Sequence, residues 1–287
     1  MNRYFVELSY DGTNYHGWQV QPNATTVQQT LEKAFSTLLK EDISLTGCGR
    51  TDTGVHASYF VAHFDSEQTE LDLPADPGQH NDLDHPNDPD HHNDPDHHND
   101  PDHHNDPSEH KHPNQQADLL FKLNGYLPDD IAIHAITRVN PAMHARFSAA
   151  YRQYIYQIRK TKPLFNRPFC YYYYADLDVE KMNAACEILM EYTDFTSFSK
   201  LHTDVRTNNC KITEAVWTAH DDGYDFTITA DRFLRNMVRS IVGTMIEVGS
   251  GKMELQEFRE AIEAKDRSSA GTSAPAKGLF LVDVGYG

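Results

Sequence analysis

The chain of 287 residues carries 25 basic and 43 acidic side chains, a net charge of −18 that argues against a nucleic-acid partner unless a local basic patch exists. It holds no run of about eighteen apolar residues and no apolar leader, so neither a membrane span nor a signal peptide is expected. The four cysteines lack the spacing of a zinc site or a disulfide framework, which predicts free thiols in a reducing cytoplasm.

The N-terminal part of the chain predicts three strands and one helix. Thr26 and Gln29 form a capping-box signature, and apolar residues then follow one helical face as far as Leu39. The strands have the composition of paired, half-buried segments. They are RYFVELSY (3–10), DISLTGCGR (42–50) and YFVAHF (59–64).

An insertion of different composition covers about 76–115. Residues 76–113 carry eleven acidic residues and one lysine, and the stretch DHPNDPDHHNDPDHHNDPDHHNDP repeats with a period of six. Because the repeats contain no apolar residue, they bury nothing that would offset the entropy of ordering, and the insertion is predicted to be disordered. Its paired histidines could hold a divalent metal such as Zn²⁺ or Ni²⁺ weakly, but they imply no rigid ligand set, and a solvated loop is the preferred interpretation.

The remaining elements mix strands and helices without regular βαβ order, which predicts an α+β fold with a mixed, mainly antiparallel sheet. We expect two lobes, residues 1–146 and 147–287. In the strand YRQYIYQI, the side chains of Tyr154, Tyr156 and Ile158 share one face. The other predicted elements are a short helix near 118–123, a strand over 131–139, a helix over 179–190, a hairpin of strands 212–220 and 223–230, a helix over 232–249 and a closing strand over 278–286.

A row of arginines marks the helix predicted over 232–249. Arg232, Arg235 and Arg239 are spaced three and four residues apart, so they would share one helical face, with apolar residues on another. By itself such a row is typical of a solvated surface. That interpretation is kept for Arg232 and Arg235.

The stretch GCGRTDTGVHA, residues 47–57, sets one carboxylate, Asp52, among glycines that permit a tight loop. One interpretation is an Asx-turn in which Asp52 caps its own backbone. Another is the Asp-Thr-Gly loop of aspartic proteases, whose chemistry needs two carboxylates sharing a proton. The chain has no second copy, which a homodimer would have to supply, and the polar residues Arg50 and Thr51 precede Asp52 where such loops have apolar residues.

The whole stretch resembles the Arg-Thr-Asp-x-Gly-Val-His-Ala signature of the tRNA pseudouridine synthase A (TruA) family. The resemblance covers nearly the whole chain outside the insertion, in the family's order. The other similar segments are YDGTNYHGWQVQP, FSAAYRQYIYQI, DFTSFSK, FLRNMVRSIVG and AKGLFLVDVGY. Two features depart from the family pattern: Thr53 replaces a frequent alanine, and the insertion is an addition.

The resemblance implies the pseudouridine synthase fold, with two lobes flanking a basic cleft. It implies isomerisation of uridine to pseudouridine at positions 38, 39 and 40 in the anticodon stem-loop of tRNAs, without a cofactor and without a metal. It also implies a homodimer bridged by tRNA and a cytoplasmic location. Because the acidic insertion would repel RNA, we expect it to project away from the binding face.

The resemblance also assigns roles to particular residues. Asp52 would be the catalytic carboxylate, either as a nucleophile or as a base. Arg239 would pair with it and oppose the burial and like charge that favour its protonation beside phosphates. Tyr154 would stack on the target base, and Arg50 would help to swing the target nucleotide out of a stem. His56 is expected to be structural.

Two other functions stay open from the sequence. The first is a non-catalytic RNA-binding protein of the same fold, against which the joint presence of Asp52, Tyr154 and Arg239 argues. The second is a metal-storage protein that uses the histidine-rich repeats.

Overall fold

The structure is a computed structural model that describes residues 1–69, 71, 114–200 and 207–287. The insertion predicted to be disordered, about 76–115, lies outside the described residues except for its last two positions. The direction in which it projects and the metal binding of its histidines lie outside them as well.

One sheet organises the described residues. Its strands are β1 (Asn2–Tyr10), β2 (Thr46–Gly47), β3 (His56–Ser66), β4 (Ile131–Val139), β5 (Ala149–Arg159), β6 (Tyr171–Tyr172), β7 (Ile212–His220), β8 (Gly223–Ala230) and β9 (Leu279–Tyr286). Their order is β4-β1-β3-β9-β5-β8-β7, with β2 added to β3 and β6 added to β5. Neighbouring strands are antiparallel apart from the β3–β9 and β5–β6 pairs. The predicted α+β fold with a mixed, mainly antiparallel sheet is therefore confirmed.

The last strand, β9, lies in the middle of the sheet. It pairs in parallel with β3 and antiparallel with β5. The other strands formed by residues 1–146 lie on the β3 side, and those formed by residues 147–230 lie on the β5 side. The division into two lobes at this boundary stays a prediction.

Most predicted strands agree with the structure. The strand 131–139 and the hairpin of 212–220 and 223–230 have the predicted bounds, and Tyr154, Tyr156 and Ile158 are all buried on one face of β5. The strand predicted over 42–50 is shorter, because only Thr46 and Gly47 pair with β3 before the chain enters the 47–57 loop.

The helices are α1 (Val27–Leu39), α2 (Asn114–Tyr126), α3 (Val179–Met190), α4 (Met237–Gly249) and α5 (Leu255–Glu263). As predicted, α1 begins after Thr26, whose hydroxyl accepts a hydrogen bond from the Gln29 N–H (3.3 Å). Helix α2 is longer than predicted, and α5 was not predicted. None of the helices within the described ranges is both long and apolar enough to cross a bilayer.

The helix predicted over 232–249 begins five residues later than expected. Asn236 adopts a left-handed conformation with φ of 66°, which ends the preceding turn and lets α4 begin only at Met237. Arg232 and Arg235 therefore precede the helix, and the prediction of three arginines on one helical face was wrong. Helix α4 is also buried on nearly all sides rather than amphipathic, with Arg239 half-buried in its first turn.

Candidate active site

The 47–57 loop rests on residues 12–18. The Trp18 N–H donates to the Thr51 carbonyl (3.3 Å). Gly17 has φ of +85°, and a Cβ there would lie 2.3 Å from the same carbonyl oxygen, so a side chain does not fit. This close backbone contact fixes the loop independently of any ligand.

His56 closes the loop, as its expected structural role requires. Its Nδ1 accepts from the Gly12 N–H (3.0 Å), so its Nε2 donates to the Pro168 carbonyl (3.0 Å). Its ring stacks on Phe280 at 4.7 Å. Burial lowers the pKa of His56 despite the nearby Asp11 carboxylate, which favours the neutral ring that this hydrogen-bond pattern needs.

The Asp52 carboxylate lies between two arginines. Its oxygens are 3.5 Å from Nη1 of Arg239 and 3.7 Å from Nε of Arg235. The side chain is 24% exposed, and among the described residues it accepts no hydrogen bond. Only the Asp52 backbone carbonyl is bonded within the loop, by the Val55 N–H (3.1 Å). The carboxylate therefore does not form an Asx-turn, and its lone pairs are free for a substrate.

Arg239 is held more firmly than Arg235. Its Nε donates to the Ala274 carbonyl (2.8 Å), and its own carbonyl accepts from the Ala274 N–H (2.8 Å). The Arg235 side chain is 60% exposed, against 22% for Arg239. The family resemblance paired Arg239 with Asp52, and the structure places these two side chains in contact. The sequence interpretation assigned Arg235 to the solvated surface, but its side chain also lies beside Asp52. The turn before α4 brings Arg235 to Asp52, and no helical periodicity predicts that turn.

Tyr154 reaches the same place from β5. Across β3, β9 and β5, Ala57, Leu281 and Tyr154 lie side by side, so the register of the sheet sets Tyr154 next to the end of the loop. Its ring packs edge-on against Phe233, with ring centroids 5.1 Å apart. Burial raises the pKa of its hydroxyl, and the nearby Cys48 and, to a smaller extent, Asp52 raise it further. In the described part of the chain this hydroxyl has no hydrogen-bond partner.

Arg152 links the backbone segments around the site by hydrogen bonds. The sequence analysis did not identify this residue. This side chain is buried, and its guanidinium donates hydrogen bonds to backbone carbonyls rather than to a carboxylate. The carbonyls belong to Cys48 in the 47–57 loop, to Arg146 and Ala149 at the start of β5, and to Asp231 after β8. Three separate backbone segments thus share one cation.

The structure brings Asp52, Arg239 and Tyr154 together, but it places Arg50 elsewhere. Arg50 is exposed and, together with Arg146, lines a cavity whose lining does not include Asp52, Arg239 or Tyr154.

The chemistry available at the site is that of one carboxylate beside two guanidinium groups and a phenol. The charged groups that contact Asp52 in the described residues are arginines, which disfavours a pair of carboxylates sharing a proton. Burial raises the pKa of the nearby Cys48 thiol to about 11, so it is a poor nucleophile. Within the described ranges, no group of three or more His, Cys, Asp or Glu side chains is arranged to hold a metal ion.

Comparison with known proteins identifies relatives along the whole chain. A family model described as tRNA pseudouridine synthase matches residues 8–84 and 185–287. The chain is 48% identical to a tRNA pseudouridine synthase A of Bacteroides thetaiotaomicron, over 100% of this chain and 91% of that protein. It is 46% identical to one of Parabacteroides distasonis, over 100% and 96%. It is 36% identical to one of Bacillus subtilis, over 97% of each.

Proposed function

Because this chain belongs to the tRNA pseudouridine synthase family, an isomerase family, we propose that it converts uridine to pseudouridine at positions 38, 39 and 40 of tRNA with Asp52 as its catalytic carboxylate. The observation that carries the proposal is the Asp52 carboxylate, which faces Arg239 at 3.5 Å and accepts no hydrogen bond from the described residues. Such a group lies beside guanidinium groups, yet its lone pairs remain available to a substrate.

The isomerisation requires few chemical groups of the protein besides this carboxylate. The bond between N1 of uracil and the ribose breaks, a bond from C5 to the ribose forms, C5 loses a proton and N1 gains one. The conversion is therefore balanced without an oxidant, a reductant or water. Asp52 serves either by attacking a carbon of the nucleotide or by removing a proton from it.

The two arginines hold the carboxylate in place as RNA approaches. Phosphate groups bring negative charge towards Asp52, and the guanidinium groups of Arg239 and Arg235 offset the repulsion. Arg239 is in addition fixed by its hydrogen bonds to Ala274. We therefore assign Arg239 the larger role in positioning the Asp52 carboxylate.

Tyr154 supports the proposal as the surface that receives the base. A buried aromatic ring beside the carboxylate offers a face or an edge to uracil, and stacking on an aromatic side chain contributes roughly 1–3 kcal/mol per base. Its hydroxyl, which no described residue bonds, is available to a polar edge of the base.

Asp52→Asn tests the catalytic assignment. We expect this variant to bind unmodified tRNA as the original protein does, but to form pseudouridine at least about 10³-fold more slowly, a loss of roughly 4 kcal/mol of transition-state stabilisation. The measurement is pseudouridine mapping of the tRNA with time, which also tests positions 38, 39 and 40. Asp176→Asn is the control, since it makes the same change at an exposed carboxylate paired with Lys160. Full activity of Asp52→Asn would contradict the assignment.

We further propose that the protein is a homodimer in the cytoplasm. The dimer is supported by the family resemblance and is tested by light scattering of the full chain with and without tRNA. The location is supported by the presence of tRNA in the cytoplasm and by the four cysteines, which are unpaired and buried thiols. Cell fractionation tests it.

A further inference from the structure

A cavity of about 150 Å³ opens beside the 47–57 loop, on the side of Arg50. The side chains of Arg50 and Arg146 line it, together with Trp18 and the backbone of Gly49. Its lining residues include no carboxylate. Because sites for drug-sized ligands are roughly 300–1,000 Å³, this cavity has room for a small group such as a phosphate.

The two arginines of the cavity are unpaired cations in a strongly acidic protein. Among the described residues, neither Arg50 nor Arg146 forms an ion pair. Burial lowers the pKa of Arg146, and repulsion from Arg50, Arg152 and Arg232 lowers it further. Positive charge is therefore concentrated here without a counter-charge from the described residues, and a bound anion would stabilise it.

The backbone of Arg146 is held in place before any anion binds. Its backbone N–H donates to Nδ1 of His144 (3.1 Å), and its backbone carbonyl accepts from the buried Arg152 guanidinium. The Arg146 side chain is exposed, and its guanidinium lies over the ring of Phe147, 5.8 Å from the centroid. The fold therefore fixes where this cation starts from the backbone and leaves its guanidinium accessible to a ligand.

Nothing in the described fold requires a glycine at position 49. Its φ lies outside the left-handed range that favours glycine, and a Cβ built there meets no atom within 4 Å. At Gly47, two residues earlier, a Cβ would lie 2.7 Å from the Phe60 and Trp18 rings. A glycine that neither backbone conformation nor packing requires is explained if another molecule approaches the backbone closely at that point.

We propose that this cavity is a phosphate subsite that binds the RNA backbone next to the target uridine, with the strand passing over Gly49 and a phosphodiester group between Arg50 and Arg146. The proposal rests on the proposed function, because it takes tRNA as the ligand. Asp52 follows Arg50 by two residues, a chain length of at most about 7 Å between their Cα atoms. The subsite and the catalytic carboxylate are thus close enough to hold neighbouring nucleotides.

The salt dependence of tRNA binding tests the contribution of Arg146. Each phosphate contact adds about 0.7 to 0.9 to the slope of log affinity against log salt. We expect Arg146→Gln to lower the slope by about 1 and to weaken binding about three- to tenfold at physiological salt, and we expect Arg146→Lys to retain most of the slope. Arg259→Gln is the matched control, since it makes the same charge change at an arginine paired with Glu191 on α5.

A second pair of variants tests the open backbone without changing charge. We expect Gly49→Ala to keep the melting temperature of the original protein but to weaken tRNA binding at least about threefold. Gly125→Ala should leave binding unchanged; a Cβ there also meets nothing within 4 Å, but the residue lies in α2, away from the cavity. Equal tRNA affinities of the two alanine variants, or equal salt slopes of Arg146→Gln and Arg259→Gln, would overturn the proposal.

Two further measurements separate this inference from its alternatives. If Arg146→Gln abolished competition by inorganic phosphate without changing the salt slope for tRNA, the cavity would be a site for free phosphate and the proposal would be wrong. Pseudouridine formation by the original protein is measured in parallel. If the binding pattern is as expected but no pseudouridine forms, the proposed function fails while the RNA subsite stands.

Discussion

Two tyrosines on one face of β5 show how similar residues acquire different roles. The Tyr156 hydroxyl donates to the Pro275 carbonyl (2.8 Å), and its ring is fully buried. The Tyr154 hydroxyl, two residues earlier, has no partner among the described residues and lies beside Asp52. The first side chain is satisfied within the fold, whereas the second leaves a polar group available at the candidate site.

Replacing each tyrosine with phenylalanine should therefore affect different properties: Tyr156→Phe should lower stability, and Tyr154→Phe should lower activity. Tyr156→Phe leaves the Pro275 carbonyl without its donor, and we expect it to lower the free energy of unfolding by about 1 kcal/mol. Tyr154→Phe removes no hydrogen bond of the free protein, and we expect a change within about 0.5 kcal/mol. Its kcat/KM for tRNA should fall roughly tenfold, because one hydrogen bond to the base is lost.

Urea unfolding and single-turnover pseudouridine assays on both variants provide the measurements. A Tyr154→Phe protein that is destabilised as much as Tyr156→Phe, with unchanged kcat/KM, would show that Tyr154 is a core residue only.

At the scale of elements, the sequence predicted structure well where one local signal decided it. The alternation of apolar and polar residues predicted the bounds of β4, β7 and β8, and the capping signature at Thr26 predicted the start of α1. The start of α4 was missed because buried Leu234 lies before Asn236, so the apolar pattern continues through a turn that only the left-handed backbone at Asn236 reveals.

In the candidate site, too, some residues were predicted from a local motif and others were not. The Asp52–Arg239 pair followed from a motif resemblance, whereas Arg235 reaches Asp52 through that unpredicted turn. Arg152 had no sequence signature, because its partners are carbonyl groups of distant segments and any residue type supplies a carbonyl. Contacts of this kind depend on the tertiary fold.

His63 is another side chain that joins elements, since it links β3 to the segment before β5. Its Nδ1 accepts from the Ala145 N–H (3.1 Å), and it is also hydrogen-bonded to the backbone of Thr46 in β2. Burial, and then the positive charges of Arg3 and His144, lower the pKa of His63 to about 4; the Asp65 carboxylate opposes this only in part.

The stability of the protein should accordingly fall in mild acid. Below the ordinary histidine pKa of about 6.5 the unfolded chain binds a proton at His63 that the folded chain excludes until about pH 4. The free energy of unfolding should thus decrease as the pH falls from about 6.5 to about 4, by at most roughly 3 kcal/mol from this group. Urea unfolding at a series of pH values measures this.

The control is His63→Asn, whose amide oxygen can still accept from Ala145 but does not titrate. The variant should be less stable at pH 7.5 and should show a shallower decrease below pH 6.5. The same decrease in both proteins would assign the acid sensitivity to other groups.

For the molecule as a whole, the distribution of charge matters more than its total. The net charge is −18, yet Arg50, Arg152 and Arg232 are close enough to Arg146 for their charges to act on it at the candidate RNA-binding surface. Residues 76–113 carry a net charge of −10. More than half of the negative excess therefore belongs to one segment of the sequence.

The strand geometry separates the described residues on either side of this acidic segment from the site. β3 begins at His56, next to the 47–57 loop, and ends at Ser66 after ten residue steps, roughly 33 Å further along. The described chain continues only to residue 71, and it resumes at the start of α2. α2 leads back to the start of β4, which pairs with Tyr10 near the loop, so the first turn of α2 also lies towards the far end of the sheet.

Deleting residues 76–113 should therefore leave catalysis intact and alter only long-range electrostatics. At physiological salt, charges are screened beyond about 8 Å, and we expect tRNA affinity and kcat to change less than about twofold. At 0.01 M salt, where charges act over about 30 Å before they are screened, the deletion should raise tRNA affinity several-fold, because RNA no longer meets a net charge of −10.

A variant of unchanged length with the acidic residues replaced by asparagine or glutamine should show the same gain, which separates the effect of charge from that of chain length. A loss of affinity or activity at physiological salt in either protein would mean that the segment contacts the RNA or the site, and the prediction that it projects away would be wrong.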